Sequence, residues 1–140
     1  MRKIDDEIQA LLLEHRGDIR SILKDNHRLD LLYALSSQRE LLLEWYDFEP
    51  EAEVLQVGAD YGALTGLFRS SVRAVTVLDD TESALETVRQ RYPGAANIYY
   101  RKDSLAGYAA EACAEGKKYD YVIFAGTLTA PYEKHIHEAK

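Results

Sequence analysis

The chain has 140 residues, 46% hydrophobic and 29% charged, a balance that fits one compact globular domain and excludes a disordered polymer. Its 24 acidic and 17 basic side chains give a formal charge of −7 with the cations scattered, so no nucleic-acid partner is expected. No apolar run approaches the roughly 20 residues of a membrane span, the acids in MRKIDDEIQA break the apolar core of a signal peptide, and the single cysteine, Cys113, makes a reducing cytoplasm the expected location, with no membrane partner and no metal site.

Up to position 49 the pattern is helical. Ile4, Ile8, Leu11 and Leu12 recur at helical spacing, and Gly17-Asp18 reads as a stop and restart. A second helical stretch carries Ile19, Ile22, Leu23, Leu29, Leu31 and Leu32, with a break expected around Asp25-Asn26. Ser37 followed by Glu40 matches a capping box and predicts a third helix over 38–46. Pro50 closes this segment, so residues 1–49 are expected to form a helical lead and 50–140 a second unit.

After Pro50 short apolar runs alternate with amphipathic stretches. Strands are expected at 53–57 (EVLQV), 74–78 (AVTVL), 97–101 (NIYYR) and 121–125 (YVIFA). Helices are expected to about Ser70, from a Thr81 cap to Tyr92, and from a Ser104 cap to Gly116, the last with Leu105, Tyr108, Ala109 and Ala112 inward and Cys113 in the core. Pro131 suits the first turn of a final helix. Strand alternating with helix at this pitch implies right-handed crossovers and an α/β fold on a mainly parallel sheet.

The chemistry concentrates at the strand ends. A buried strand that ends in glycine and turns directly into a helix aims backbone amides above the sheet edge, and Gly58 and Gly62 permit close approach of a ligand. The dinucleotide pattern G-x-G-x-x-G fails at Asp60 and Ala63, the P-loop ending is absent, and an acid at 60 repels pyrophosphate. Asp79 ends the second strand 21 positions after Gly58, the spacing at which an acid meets a ribose diol. Asp103 ends the third strand, where its carboxylate can accept from an adenine amino group. Together these describe an adenosine site without phosphate.

These residues resemble the class I S-adenosylmethionine-dependent methyltransferases, from about residue 36 onward. EVLQVGADYGALTG is similar to the first motif of that family, VTVLDD to the second, NIYYRKDS to its adenine-contacting segment and KYDYVIFAGTL to its fourth-strand motif. The resemblance implies a Rossmann-like sheet ordered 3-2-1-4, with helices on both faces, and S-adenosylmethionine as the small-molecule cofactor. It places Gln56, Gly58, Ala59, Asp60, Tyr61 and Gly62 around the methionine part, Asp79 and Asp80 at the ribose, and Asp103 and Ser104 at the adenine. The implied reaction is in-line displacement at the sulfonium methyl, governed by alignment. The methyl acceptor and the catalytic residues stay open. The segment carrying Ser36, Ser37, Arg39 and Glu40 is similar to one in bacterial methyltransferases of cell-surface saccharide synthesis.

The chain departs from the family pattern in three ways. Gln56 stands where the family has Asp or Glu, and Asp60 where it has glycine. The family sheet has seven strands, whereas only four are readable here, and the remainder would need roughly 60–90 residues. An excised portion of a longer protein, or completion by another chain, is therefore expected. The strand at 121–125 becomes an open apolar edge through which copies could associate. A catalytically silent binding module and a nicotinamide-dependent oxidoreductase are the competing readings. His135 and His137 read as solvated surface. Tyr61 is a candidate cover for the cofactor, and Arg39 reaches either the pocket or a neighbouring Glu.

Overall fold

The computed structural model describes residues 3–125. The helical lead comprises α1 (Lys3–Glu14), α2 (Ile19–Asp25) and α3 (Leu29–Leu35), followed by a single 3₁₀ turn at Gln38–Leu42. The expected stop at Gly17 is real: its φ of +78° is left-handed, and a Cβ there would lie 3.0 Å from the carbonyls of Gln90 and Arg91. Asp18 then caps α2 by accepting from the Ser21 amide. The expected helix over 38–46 is not formed. Ser37 is not in the extended cap conformation and makes no side-chain cap bond, because the Glu40 amide donates to the Ser37 carbonyl at 3.0 Å, while the Glu40 carboxylate turns to the Leu67 amide, beside Gly66.

The second part runs β1 (Glu53–Val57), a 3₁₀ turn at Asp60–Gly62, α4 (Thr65–Ser71), β2 (Ala74–Asp79), α5 (Glu82–Arg91), β3 (Ile98–Lys102), α6 (Leu105–Glu115) and β4 (Tyr121–Phe124). The strands form one sheet in the order β3-β2-β1-β4, every pair parallel. Short β-branched and aromatic runs make these strands. Ser104 caps α6 through the Gly107 amide, and Gly116 ends it with a φ of +72°.

One sheet face carries the main core. Val54, Val75, Val77 and Ile98 pack there with Phe68 of α4 and Leu85 and Val88 of α5. The lead has its own core of Ile8, Leu12, Ile22, Leu31, Ala34 and Leu35. The opposite sheet face is thinner, with Leu55, Val57 and Leu78 packed against Tyr108 and Tyr119. No residue of α6 is buried, and Cys113 is exposed rather than in a core. The reason is that α6 meets the sheet chiefly through Tyr108, whose hydroxyl lies 2.5 Å from that of Tyr119 and whose pKa is pushed up to about 12 by burial and by that neighbour. Tyr99 and Tyr100 alternate as strand neighbours must: Tyr100 joins the main core and Tyr99 is exposed. On β4, Tyr121 and Ile123 pack on the main core, while Val122 and Phe124 remain 48% and 45% exposed. The expected helix at Pro131 lies outside the described residues.

Candidate functional site

The site is built at the C-terminal edge of the sheet, where α/β folds of this type take ligands. β1 delivers the chain into a turn with φ values of +99° at Gly58, +44° at Asp60, +56° at Tyr61 and +75° at Gly62. Glycine adopts such angles freely, whereas Asp60 and Tyr61 do so against a cost on the order of 1 kcal/mol each. The space at Gly62 is used by the protein itself. A Cβ there would stand 3.2 Å from the Tyr92 ring and 3.3 Å from Arg91 Cδ, so this glycine lets α5 close on the turn.

Gln56 is fully buried, and its amide is spent inside the turn. Its Nε2 donates to the carbonyls of Gly58 (2.9 Å) and Ala59 (3.3 Å), and its Oε1 accepts from the Thr65 hydroxyl at 2.9 Å. A carboxylate at this position would face two carbonyls to which it cannot donate, which accounts for an amide where the family pattern has an acid. The Asp60 carboxylate is likewise engaged, 2.5 Å from Arg39 Nη1. Arg39 thus meets neither of its expected partners alone: it reaches the turn, but through Asp60. The Tyr61 ring packs with the core of the lead, and its hydroxyl donates to Asp5 at 2.7 Å.

The rim beyond the turn carries the other candidates. Asp79 accepts from the Ala59 amide at 3.0 Å through Oδ2 and from the Thr81 amide at 2.9 Å through Oδ1. It thereby ties the turn to Thr81, the residue that precedes α5 and whose own side chain makes no cap bond. Burial raises the Asp79 pKa above the usual carboxylate value, against the downward pull of those two amides. Asp80 is exposed and accepts from the Thr81 hydroxyl. Asp103 sits next to Asp79 on the same rim: its amide donates to the Asp79 carbonyl at 3.0 Å. Its Oδ1 accepts from the Ser104 amide, and Oδ2 lies 3.5 Å from Arg101. Ser104 is spent on the α6 cap as an acceptor but keeps its hydroxyl proton to donate.

Two residues that hold this site escaped sequence reasoning. Arg91, 6% exposed, donates to the Tyr61 carbonyl at 2.8 Å and the Leu35 carbonyl at 2.6 Å, with a longer contact of 3.5 Å to Ala34. Burial lowers its pKa. The available signal was a cation three residues beyond Val88, on the apolar stripe of α5, where a charge must find acceptors. Asp5 carried no such signal, since its partner lies 56 positions away.

His135 and His137 lie outside the described residues. Among the described residues no group of three or more His, Cys, Asp or Glu is placed to hold a metal ion, and no helix is long and apolar enough to cross a membrane.

No protein-family model matches the chain. No curated protein matches it either. Among solved structures it is similar to a point mutant of MtNAS, a nicotianamine synthase, with a TM-score of 0.53 and 17% identity, over 93% of this chain and 50% of that one. It is also similar to phosphoethanolamine N-methyltransferase 1 of Haemonchus contortus, solved with phosphoethanolamine and S-adenosylhomocysteine, with a TM-score of 0.47 and 21% identity, over 66% of this chain and 22% of that one. The chain therefore spans half or less of the length of these structures. The first likeness and the 3-2-1-4 parallel sheet agree: the chain has a Rossmann-like α/β fold.

Proposed function

We propose that this chain is the cofactor-binding part of an S-adenosylmethionine-dependent methyltransferase, with residues 50–140 as the binding unit and 1–49 as its helical lead. The observation that carries this reading is Asp79, a half-buried acid beside the glycine turn whose two oxygens each accept one backbone amide. Each oxygen retains a lone pair for a ribose hydroxyl. Asp103 and Ser104, adjacent on the rim, supply an acceptor and a donor for the adenine edge. The residues thus fit the nucleoside end of the cofactor. When bound, the cofactor supplies an electrophilic methyl group, and the work of this chain is to hold its nucleoside end so that the methyl is aligned with the acceptor. The similarity of the segment carrying Ser36, Ser37, Arg39 and Glu40 favours a saccharide-linked acceptor. We place the protein in the cytoplasm.

A second reading, a catalytically silent module of the same fold, is favoured by the inward-turned Gln56 and the Arg39-paired Asp60, neither of which offers a free charge to a sulfonium. Calorimetric titration separates the readings. S-adenosylhomocysteine is expected to bind and NAD is not. No heat and no thermal shift at millimolar S-adenosylhomocysteine would favour the silent module, and uptake of NAD would favour the oxidoreductase. We further propose self-association through β4, where Val122 and Phe124 lie open. Light scattering is expected to show mass rising with concentration, and a strict monomer at high concentration would refute this.

A further inference from the structure

The turn after β1 sets two consecutive non-glycine residues, Asp60 and Tyr61, in the left-handed region. Side chains resist those angles, so the conformation persists only where its surroundings over-determine it. Three anchors do so here, all from outside the turn. Arg39 pairs with the Asp60 carboxylate, Asp5 accepts from the Tyr61 hydroxyl, and Arg91 donates to the Tyr61 carbonyl. The Arg39–Asp60 pair differs from an ordinary surface ion pair in two respects. Both side chains are only 18% exposed, and Arg39 Nη2 is already held by the carbonyls of Tyr33 (2.8 Å) and Ala34 (3.3 Å). The guanidinium is therefore oriented before it meets the carboxylate, which removes much of the entropy that weakens exposed pairs.

We propose that Arg39 is a positioning residue for the glycine turn: through Asp60 it holds residues 60 and 61 left-handed and so keeps Asp79 in register for a nucleoside. The link to the rim is direct. Ala59, immediately before Asp60, donates its amide to Asp79 Oδ2, so slack at Asp60 passes to the acid through one peptide unit. A glycine at position 60 would take a φ of +44° unaided, whereas the aspartate needs a counterforce, and the chain supplies one from the lead segment. The ligand named here rests on the cofactor reading above; the geometry of the turn does not.

The test is a cycle of Arg39→Ala, Asp60→Gly and the double variant in the full chain. Amide hydrogen exchange at residues 59–63 and calorimetric affinity for S-adenosylhomocysteine are the two readouts, with exchange in α3 reporting loss of the Tyr33 and Ala34 contacts separately. Arg39→Ala is expected to speed exchange in the turn by about tenfold and to weaken the ligand by a similar factor. The same substitution is expected to add nothing to either readout once Asp60→Gly is present, because glycine does not need holding. Arg39→Lys, which keeps the charge but cannot span both sets of contacts, falls between. Exchange that is unchanged in Arg39→Ala, or that accelerates equally in both backgrounds, overturns the proposal. If the parent protein takes up no S-adenosylhomocysteine while the exchange pattern appears as expected, the cofactor reading fails and the positioning role stands.

Discussion

Arg91→Met is expected to destabilise the fold by about 2–4 kcal/mol, read as a fall in the urea midpoint with little change in slope. The guanidinium is almost wholly buried and joins three parts of the molecule: the end of α5, the last-turn carbonyls of α3 and the carbonyl of Tyr61 in the glycine turn. Methionine preserves much of the stem that packs against Gly62 and Tyr92 but leaves those carbonyls without a donor in a buried place. Each orphaned buried acceptor costs on the order of 1–3 kcal/mol. Relief of the desolvation that lowers the Arg91 pKa offsets part of that cost, which keeps the expected loss below the simple sum. The favourable site for a cation at a helix C-terminus is lost as well. Arg91→Lys is expected to recover less than half of the loss, because an ammonium cannot fork toward Tyr61 and Leu35 together. A loss under about 0.5 kcal/mol for Arg91→Met would mean that the lead and the glycine turn are held together by other contacts.

Asp79→Ala is expected to weaken S-adenosylhomocysteine by about 1–3 kcal/mol, the range for removing a charged hydrogen-bonding partner. Two effects contribute. The ribose loses its acceptor, and the Ala59 and Thr81 amides lose theirs, so the turn loosens as the ligand contact disappears. Asp79→Asn separates them: the amide oxygen still accepts one backbone bond, but the nitrogen presents donors toward a second backbone donor. The pH dependence follows from the raised pKa. Because the folded-state value lies above the unfolded one, the ionised carboxylate is a burden on folding: the stabilising contribution is full at low pH and is lost as pH rises through the folded pKa. Ligand binding runs the other way, since the ionised acid is the better acceptor for both ribose hydroxyls. Affinity is therefore expected to fall on acidification at a higher pH than an ordinary aspartate would impose, and this step is expected to vanish in Asp79→Asn. Calorimetry across that range checks it, and an identical pH profile in parent and Asp79→Asn would remove Asp79 from the ribose.

Local signals made much of this molecule legible. The apolar runs around Val54, Val75, Ile98 and Val122 marked the four strands to within about a residue, because a buried parallel strand needs a continuous apolar stretch. Gly17, Asp18, Ser104 and Gly116 marked helix ends through their own backbone angles and caps. The alternation of strand and helix implied a mainly parallel sheet, and the 3-2-1-4 order, which the resemblance implied, is the one observed. Asp79 and Asp103 could be placed on one rim because both end neighbouring parallel strands, and the hydrogen bond from the Asp103 amide to the Asp79 carbonyl puts them there.

What the chain order by itself could not decide was the partner of each polar group. The resemblance put Gln56, Asp60 and Tyr61 beside a cofactor, but their protein partners were not legible: the fold turns Gln56 onto Gly58, Ala59 and Thr65, Asp60 onto Arg39, and Tyr61 onto Asp5. The capping box at Ser37 and Glu40 had the correct spacing, but the Glu40 carboxylate was drawn to α4. The physical reason is the same in each case. Backbone angles and apolar periodicity act over a few residues and are written locally, whereas a buried charge or amide takes whatever acceptor or donor the packed fold brings near, and at Arg91 that acceptor lies 56 positions away.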